Sequence, residues 1–131
     1  MTKTRRRKKK INHPERDMQA RVFEECKYRE GRYPDLEDLY AIPNGQYRPG
    51  FALEPGTKAG MPDIHLPVAR GGFLSFYIEL KMPGEEPSDT QLKVHKRLRA
   101  QGHRVDVYWS DTTAIAALCA YLKQPRTEIA Q

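Results

Sequence analysis

The chain has 131 residues, 38% hydrophobic and 31% charged, with a formal net charge of +6. That length suits one domain with a genuine core and is too short for two, and the positive balance favours a polyanionic partner. No apolar run approaches the roughly 20 residues of a bilayer span, and no apolar stretch follows the basic N-terminus as it would in a secretory signal. Cys26 and Cys119 are far apart and lack metal-binding spacing, which excludes a zinc ribbon and a disulfide framework. A cytoplasmic protein with no membrane association is expected.

Residues 1–12 form a basic arm, with Arg5, Arg6, Arg7, Lys8, Lys9 and Lys10 in unbroken succession. Such a block cannot bury apolar surface and is expected to be disordered when free. It reads as an arm that tracks nucleic-acid phosphates by counterion release. A solubilising tail and a nuclear-localisation signal compete with that reading.

The folded part is expected over residues 13–123. Asn12, His13, Pro14 and Glu15 look like a helix start, with a cap, a first-turn proline and an acid. Met18, Val22 and Cys26 follow at helical spacing, and Gly31 is a plausible stop. Glu15 lies three residues before Met18 and continues the buried stripe; complementing the helix dipole is its ordinary alternative. Residues 33–60 are rich in proline and glycine, with a short strand at Leu39-Tyr40-Ala41-Ile42, a loop through Pro43-Asn44-Gly45, and possible helix near residues 51–54.

Residues 63–68 alternate polar and apolar and predict a strand. Arg70-Gly71-Gly72 predicts a hairpin turn, and residues 73–81 return antiparallel. Ser88-Asp89-Thr90-Gln91 has capping-box spacing and opens a helix that stops at Gly102, with Gln91, Val94 and Leu98 on one stripe. Residues 105–109 predict another strand. Asp111 or Thr112 caps a last helix, and residues 124–131 are expected to fray. The sum is an α/β fold, a mixed central sheet flanked by helices.

The chemistry concentrates at two places, Gly60-Met61-Pro62-Asp63 and Ile78-Glu79-Leu80-Lys81. On a strand Glu79 and Lys81 share one face while Ile78 and Leu80 share the other. A turn centred at Arg70-Gly71-Gly72 sets Asp63 opposite Glu79, where paired Cβ atoms lie roughly 4.5–5.5 Å apart. Two carboxylates that close repel unless a cation joins them. Mg²⁺ suits such a place, since it takes one or two carboxylates plus water and phosphate oxygens. The plain alternatives are a turn aspartate and an ordinary Glu–Lys pair on a strand.

Asp63 followed by Glu79-Leu80-Lys81 resembles the PD-(D/E)xK nuclease signature. The fuller pattern of Gly60-Met61-Pro62-Asp63, Ile78-Glu79-Leu80-Lys81 and Gln91 is similar to the virus-type replication-repair nuclease (VRR-NUC) domain. Pro14-Glu15 with Gln19, Pro43-Asn44-Gly45, and Leu98 with Gly102 extend the likeness over about residues 13–123. The resemblance implies a restriction-endonuclease-like core and DNA cleavage that depends on Mg²⁺ or Mn²⁺. It also implies metal ligation by Glu15, Asp63, Glu79 and the Leu80 carbonyl. Asp63, Glu79, Lys81 and Gln91 would be catalytic. Glu24 and Glu25 are rivals to Glu15, and a capping-box role competes with the site role of Gln91.

Stand-alone members of that family resemble phage enzymes that act as homodimers on four-way (Holliday) junctions. Candidate dimer residues are Tyr33, Leu36, Leu39, Tyr40, Tyr47 and Phe51, with core packing as their alternative. A non-catalytic nucleic-acid-binding module built on the basic arm is the competing function. Deleting residues 1–11 should weaken DNA binding and flatten its dependence on salt, measured by titration across an ionic-strength series, while the circular dichroism of the folded part stays unchanged.

Overall fold

The structure is a computed structural model in which residues 14–43, 49–50 and 52–130 are described. The basic arm with Arg5, Arg6, Arg7, Lys8, Lys9 and Lys10 lies outside that set. So do the possible cap at Asn12 and His13, the turn at Asn44 and Gly45, Tyr47 and Phe51.

Helix α1 spans Pro14–Tyr28 and buries Met18, Val22 and Cys26, the stripe its spacing predicts. A short 3-10 helix at Pro34–Asp38, which the sequence reading did not anticipate, buries Leu36. Strands β1 (Tyr40–Ala41), β2 (Ile64–Leu66) and β3 (Phe76–Leu80) follow, then helix α2 (Asp89–Ala100), strand β4 (Arg104–Tyr108) and helix α3 (Asp111–Leu122). The segment Ala52-Leu53-Glu54 is not helical.

The strands lie in the order β1-β2-β3-β4. The first three are antiparallel and β4 runs parallel to β3. A parallel pair needs a crossover, and α2 supplies it. The sheet is mixed and flanked by helices, as expected.

Register in the central hairpin pairs Ile64 with Ile78, His65 with Tyr77 and Leu66 with Phe76. This is the register that the predicted turn demands. Both strands are nonetheless shorter than expected. Pro67 has no amide for the ladder, and the Val68 amide bends back to the Leu66 carbonyl. On the other arm Phe73 closes the turn onto Arg70, and the Leu74 amide bonds to Gly102.

Alternation divides the sheet into two unlike faces. Ile64, Leu66, Phe76, Ile78 and Leu80 join Met18, Val22, Ala114, Leu118 and Tyr121 in one apolar core, beneath α1 and α3, which also pack on each other. His65, Tyr77 and Glu79 take the opposite face. There His65 stacks on Tyr77 with ring centroids 4.0 Å apart. α2 packs against β4, and its His95 reaches Glu79 from this side.

The expectation that residues 124–131 fray is corrected over their first part. Gly71 donates to the Pro125 carbonyl, Gly72 donates to the Thr127 hydroxyl, and that hydroxyl donates to the Phe73 carbonyl at 2.6 Å. The turn's free backbone groups recruit the tail, because exposed turn amides need acceptors. The cap of α3 is Ser110, whose hydroxyl accepts from the Thr113 amide, in place of Asp111 or Thr112. Of the candidate dimer residues, Leu36 and Leu39 belong to the core and Tyr33 packs against it, whereas Tyr40 is exposed. Core packing accounts for the first three.

Gly60 fixes how the loop ahead of β2 meets α2. Its φ is +84°, and a Cβ there would stand 2.9 Å from Thr90 atoms and 3.0 Å from Val94. Gly60→Ala should therefore destabilise the protein by about 1–3 kcal/mol, through left-handed strain and the clash together. A lowered urea midpoint at unchanged m-value would show it.

Candidate active site

Asp63 lies just before β2, in a bend. Its amide donates to the Ile78 carbonyl at 3.0 Å, one position out of the ladder's register, as at a β-bulge. The slip turns the side chain so that Oδ2 accepts from the Leu80 amide at 2.7 Å. Continuing the regular register would set Pro62 across from Leu80. Proline has no N–H, so it cannot occupy the Leu80 carbonyl. In an antiparallel ladder a residue's N–H and C=O point to the same side. On a continued register the Leu80 carbonyl would face Pro62, which has no N–H to give it.

Glu79 is 1% exposed, although it is a carboxylate on a central strand. Asp63 and Glu79 line the same cavity, and each perturbs the other's carboxyl. Burial is the largest cause that pushes the Asp63 carboxyl up, to about 8, and Glu79 adds to it. The Leu80 amide and Lys81 oppose that shift. Glu79 is raised as well, chiefly by burial, with Lys81 and the hydrogen bond to Asp63 pulling the other way. The pair holds a proton where two negative charges would otherwise be pressed together in a poorly hydrated place.

An open cavity of about 890 Å³ exposes this pair. Glu15 and Gln19, one turn apart on α1, line it together with Asp63, Glu79, Lys81 and Gln91. The first turn of α1 thus aims Glu15 at the site. Its carboxyl is raised by burial first and then by Asp63 and Glu85, with Lys81 opposing. Glu24 is exposed and Glu25 binds Arg29 at 2.8 Å, so neither rival for the helical acid reaches the cavity.

Gln91 lines the cavity and also closes the capping box of α2. Its Oε1 accepts from the Ser88 amide at 2.9 Å while its own amide donates to Ser88 Oγ, a complete capping box. The side-chain oxygen is committed to the helix end. Only the Nε2 group remains for the cavity.

Two residues near the carboxylates were not singled out in the sequence. Glu85, in the loop before α2, lines the cavity. His95, on α2, is fully buried with Nε2 3.3 Å from Glu79 Oε1. Burial, then Arg99 and Lys81, pull its imidazole below the ordinary histidine range. Helical spacing offered a signal for His95, which lies one turn after Gln91 and so beneath the same face.

Among the described residues no three His, Cys, Asp or Glu side chains gather closely enough to cage a metal. Two facing carboxylates that share a proton, beside a backbone carbonyl, are the partial donor set that Mg²⁺ or Mn²⁺ completes with water and phosphate oxygens. The residues fit such an ion. A closed structural site of the zinc type has four protein ligands.

With this geometry in view, a solved structure described as a VRR_NUC domain protein superposes with a TM-score of 0.72. It covers 89% of this chain and 95% of its own, at 22% identity. The fold is that of a VRR-NUC domain. A relative named "Putative nuclease p44", from Acyrthosiphon pisum secondary endosymbiont phage 1, is 40% identical over 55 residues. That match takes in 42% of this chain and 56% of the relative's length. No family model matches the chain. In this chain the two acids and the lysine lie at the open end of the central hairpin.

The protonation of the pair has a consequence for stability. A carboxyl held at about 8, against an ordinary 3.8, binds its proton more tightly folded than unfolded. That stabilisation is complete below the unfolded value and is lost as pH rises toward 8. Glu15 and Glu79 shift in the same direction. With a chelator present, the melting temperature should fall from pH 5 to pH 8.5, and Asp63→Asn should flatten much of that slope. A pH-independent melting temperature would contradict the protonated pair.

Proposed function

We propose that this chain is a nuclease, specifically an endonuclease that hydrolyses DNA phosphodiesters with Mg²⁺ or Mn²⁺. The observation that carries the reading is the convergence of Asp63, Glu79 and Lys81 on one open cavity. Burying two mutually repelling acids beside a lysine brings no packing advantage, whereas it suits a site that receives a cation and a phosphate.

Asp63, Glu79 and the Leu80 carbonyl would hold the ion, with Glu15 contributing from α1. When bound, it supplies Lewis-acid stabilisation of phosphate charge and a more acidic water. Lys81 shares a strand face with Glu79, where its ammonium can offset charge on the non-bridging oxygens and orient the attacking water. Gln91 presents its Nε2 hydrogens to a phosphate oxygen or that water. The Asp63 bend fixes the acid through the Leu80 amide, so the carboxylate needs little rearrangement when a ligand arrives.

The substrate we favour is branched DNA, such as a four-way junction, cut by a homodimer whose two sites share a two-fold axis. Residues 13–123 would be the nuclease domain and residues 1–12 an arm on the flanking duplex. Among the described residues no helix is long and apolar enough to cross a membrane. The cytoplasm, where cellular or phage DNA is met, is the proposed place of action.

Asp63→Asn, Glu79→Gln and Lys81→Ala should each lower cleavage of branched DNA by at least about 100-fold in Mn²⁺, while DNA binding persists. Substrates assayed side by side should include four-way junctions, flaps, forks and linear duplex. Full cleavage by any of the three variants would remove that residue from the site. Binding without cleavage in either metal by the unsubstituted protein would favour the non-catalytic binding module. A monomer at cleavage-competent concentrations, measured by sedimentation, would rule out the paired-site arrangement.

A further inference from the structure

We propose that His95 is a positioning residue for Glu79, a role that rests on the metal-site reading above. The two side chains meet across the sheet, Nε2 to Oε1 at 3.3 Å, and each is 1% exposed. Their elements are both held firmly. Glu79 lies on β3 between its pairing partners, and α2 begins at a complete capping box. Gln91 and His95 stand one turn apart, so the helix face that borders the cavity at Gln91 backs the carboxylate at His95.

The chemistry of imidazole fixes the direction of this contact. An ionised Glu79 can only accept, so Nε2 must carry the hydrogen and donate. Nδ1 is buried and has no partner among the described residues. In the Nε2–H tautomer Nδ1 is a bare acceptor, which a protein interior tolerates better than a stranded N–H. The opposite tautomer would bury an unpaired donor and set two lone pairs against each other. Both constraints select one tautomer, in which Nε2–H holds Oε1 of the carboxylate. Groups that hold a metal-ligating side chain in this way tune affinity without touching the ion.

Removing one partner of a buried polar contact leaves the other unsatisfied. His95→Leu therefore strips Glu79 of its donor, and His95→Gln can restore one near the position of Nε2.

The experiment is calorimetric titration of the full chain with Mn²⁺ in the absence of DNA, beside thermal melts. His95→Leu should stay folded, with a lowered melting temperature because Glu79 loses its buried donor, and should bind Mn²⁺ at least about 10-fold more weakly. His95→Gln should recover most of the affinity. Nitrogen NMR of the unsubstituted protein should show the hydrogen on Nε2. Equal Mn²⁺ affinity in His95→Leu, or a hydrogen on Nδ1, would overturn the role. If the Leu variant does not fold, the Gln variant and the tautomer decide it: unrecovered affinity, or a hydrogen on Nδ1, overturns the proposal. Failure of the unsubstituted protein to cleave any DNA, with this affinity pattern intact, would sink the nuclease reading alone. Failure to bind Mn²⁺ at all would sink both.

Discussion

Two carboxylates in contact, one of them almost fully buried, are the constraint around which this protein is arranged. Left alone, Asp63 and Glu79 repel and lose hydration, and the fold answers by keeping a proton on the pair. Every nearby element bears on that tension. The Leu80 amide favours the ionised aspartate, Lys81 favours the ionised forms of Glu15, Asp63 and Glu79, Glu15 opposes ionisation of Glu79, and Glu85 opposes that of Glu15. A site balanced in this way is poorly satisfied until positive charge enters. Positive charge placed there would relieve it.

The two faces of the sheet divide the labour. Beneath α1 and α3 the strands are uniformly apolar, and that layer carries the burial that holds the chain folded. The opposite face holds His65, Tyr77 and Glu79, side chains that a sheet built only for stability would not place there. His65 is secured between Tyr40 Oη and Ser75 Oγ, at 2.7 and 2.8 Å, and Ser75 in turn meets His103. Burial pulls the His65 imidazole down to about 4, so His65 stays neutral over the ordinary pH range. It ties the edge strand to the centre of the sheet and keeps the polar face rigid beside the acids.

Much of this was legible in the sequence because its signals were local and periodic. The Gly71-Gly72 turn fixed the register, the 3.6-residue spacing of Met18, Val22 and Cys26 fixed the buried side of α1, and Ser88 with Gln91 fixed the start of α2. What escaped depended on chain segments meeting in space. The slip at Asp63 arises because strand pairing gives way next to Pro62. His95 looked like one more residue of a polar helix until the crossover laid α2 over β3. The tail looked featureless because its partners are backbone groups of a turn some 55 residues earlier, and such pairings leave no side-chain pattern. The apolar excess in the 33–40 region suggested a surface, but Leu36 and Leu39 are core.

Pro62 shows how a site can be specified by subtraction. It contributes no charge, no nucleophile and no hydrogen bond; what matters is the hydrogen atom it lacks. Any other residue at that point would bring a backbone donor to the position that the regular register sets across from Leu80. The proline ends the pairing where an unclaimed oxygen is wanted, and the bend that follows swings the aspartate beside it. Searches for function that look only for reactive side chains would pass over such a residue, because its whole effect is to leave a neighbour's oxygen free.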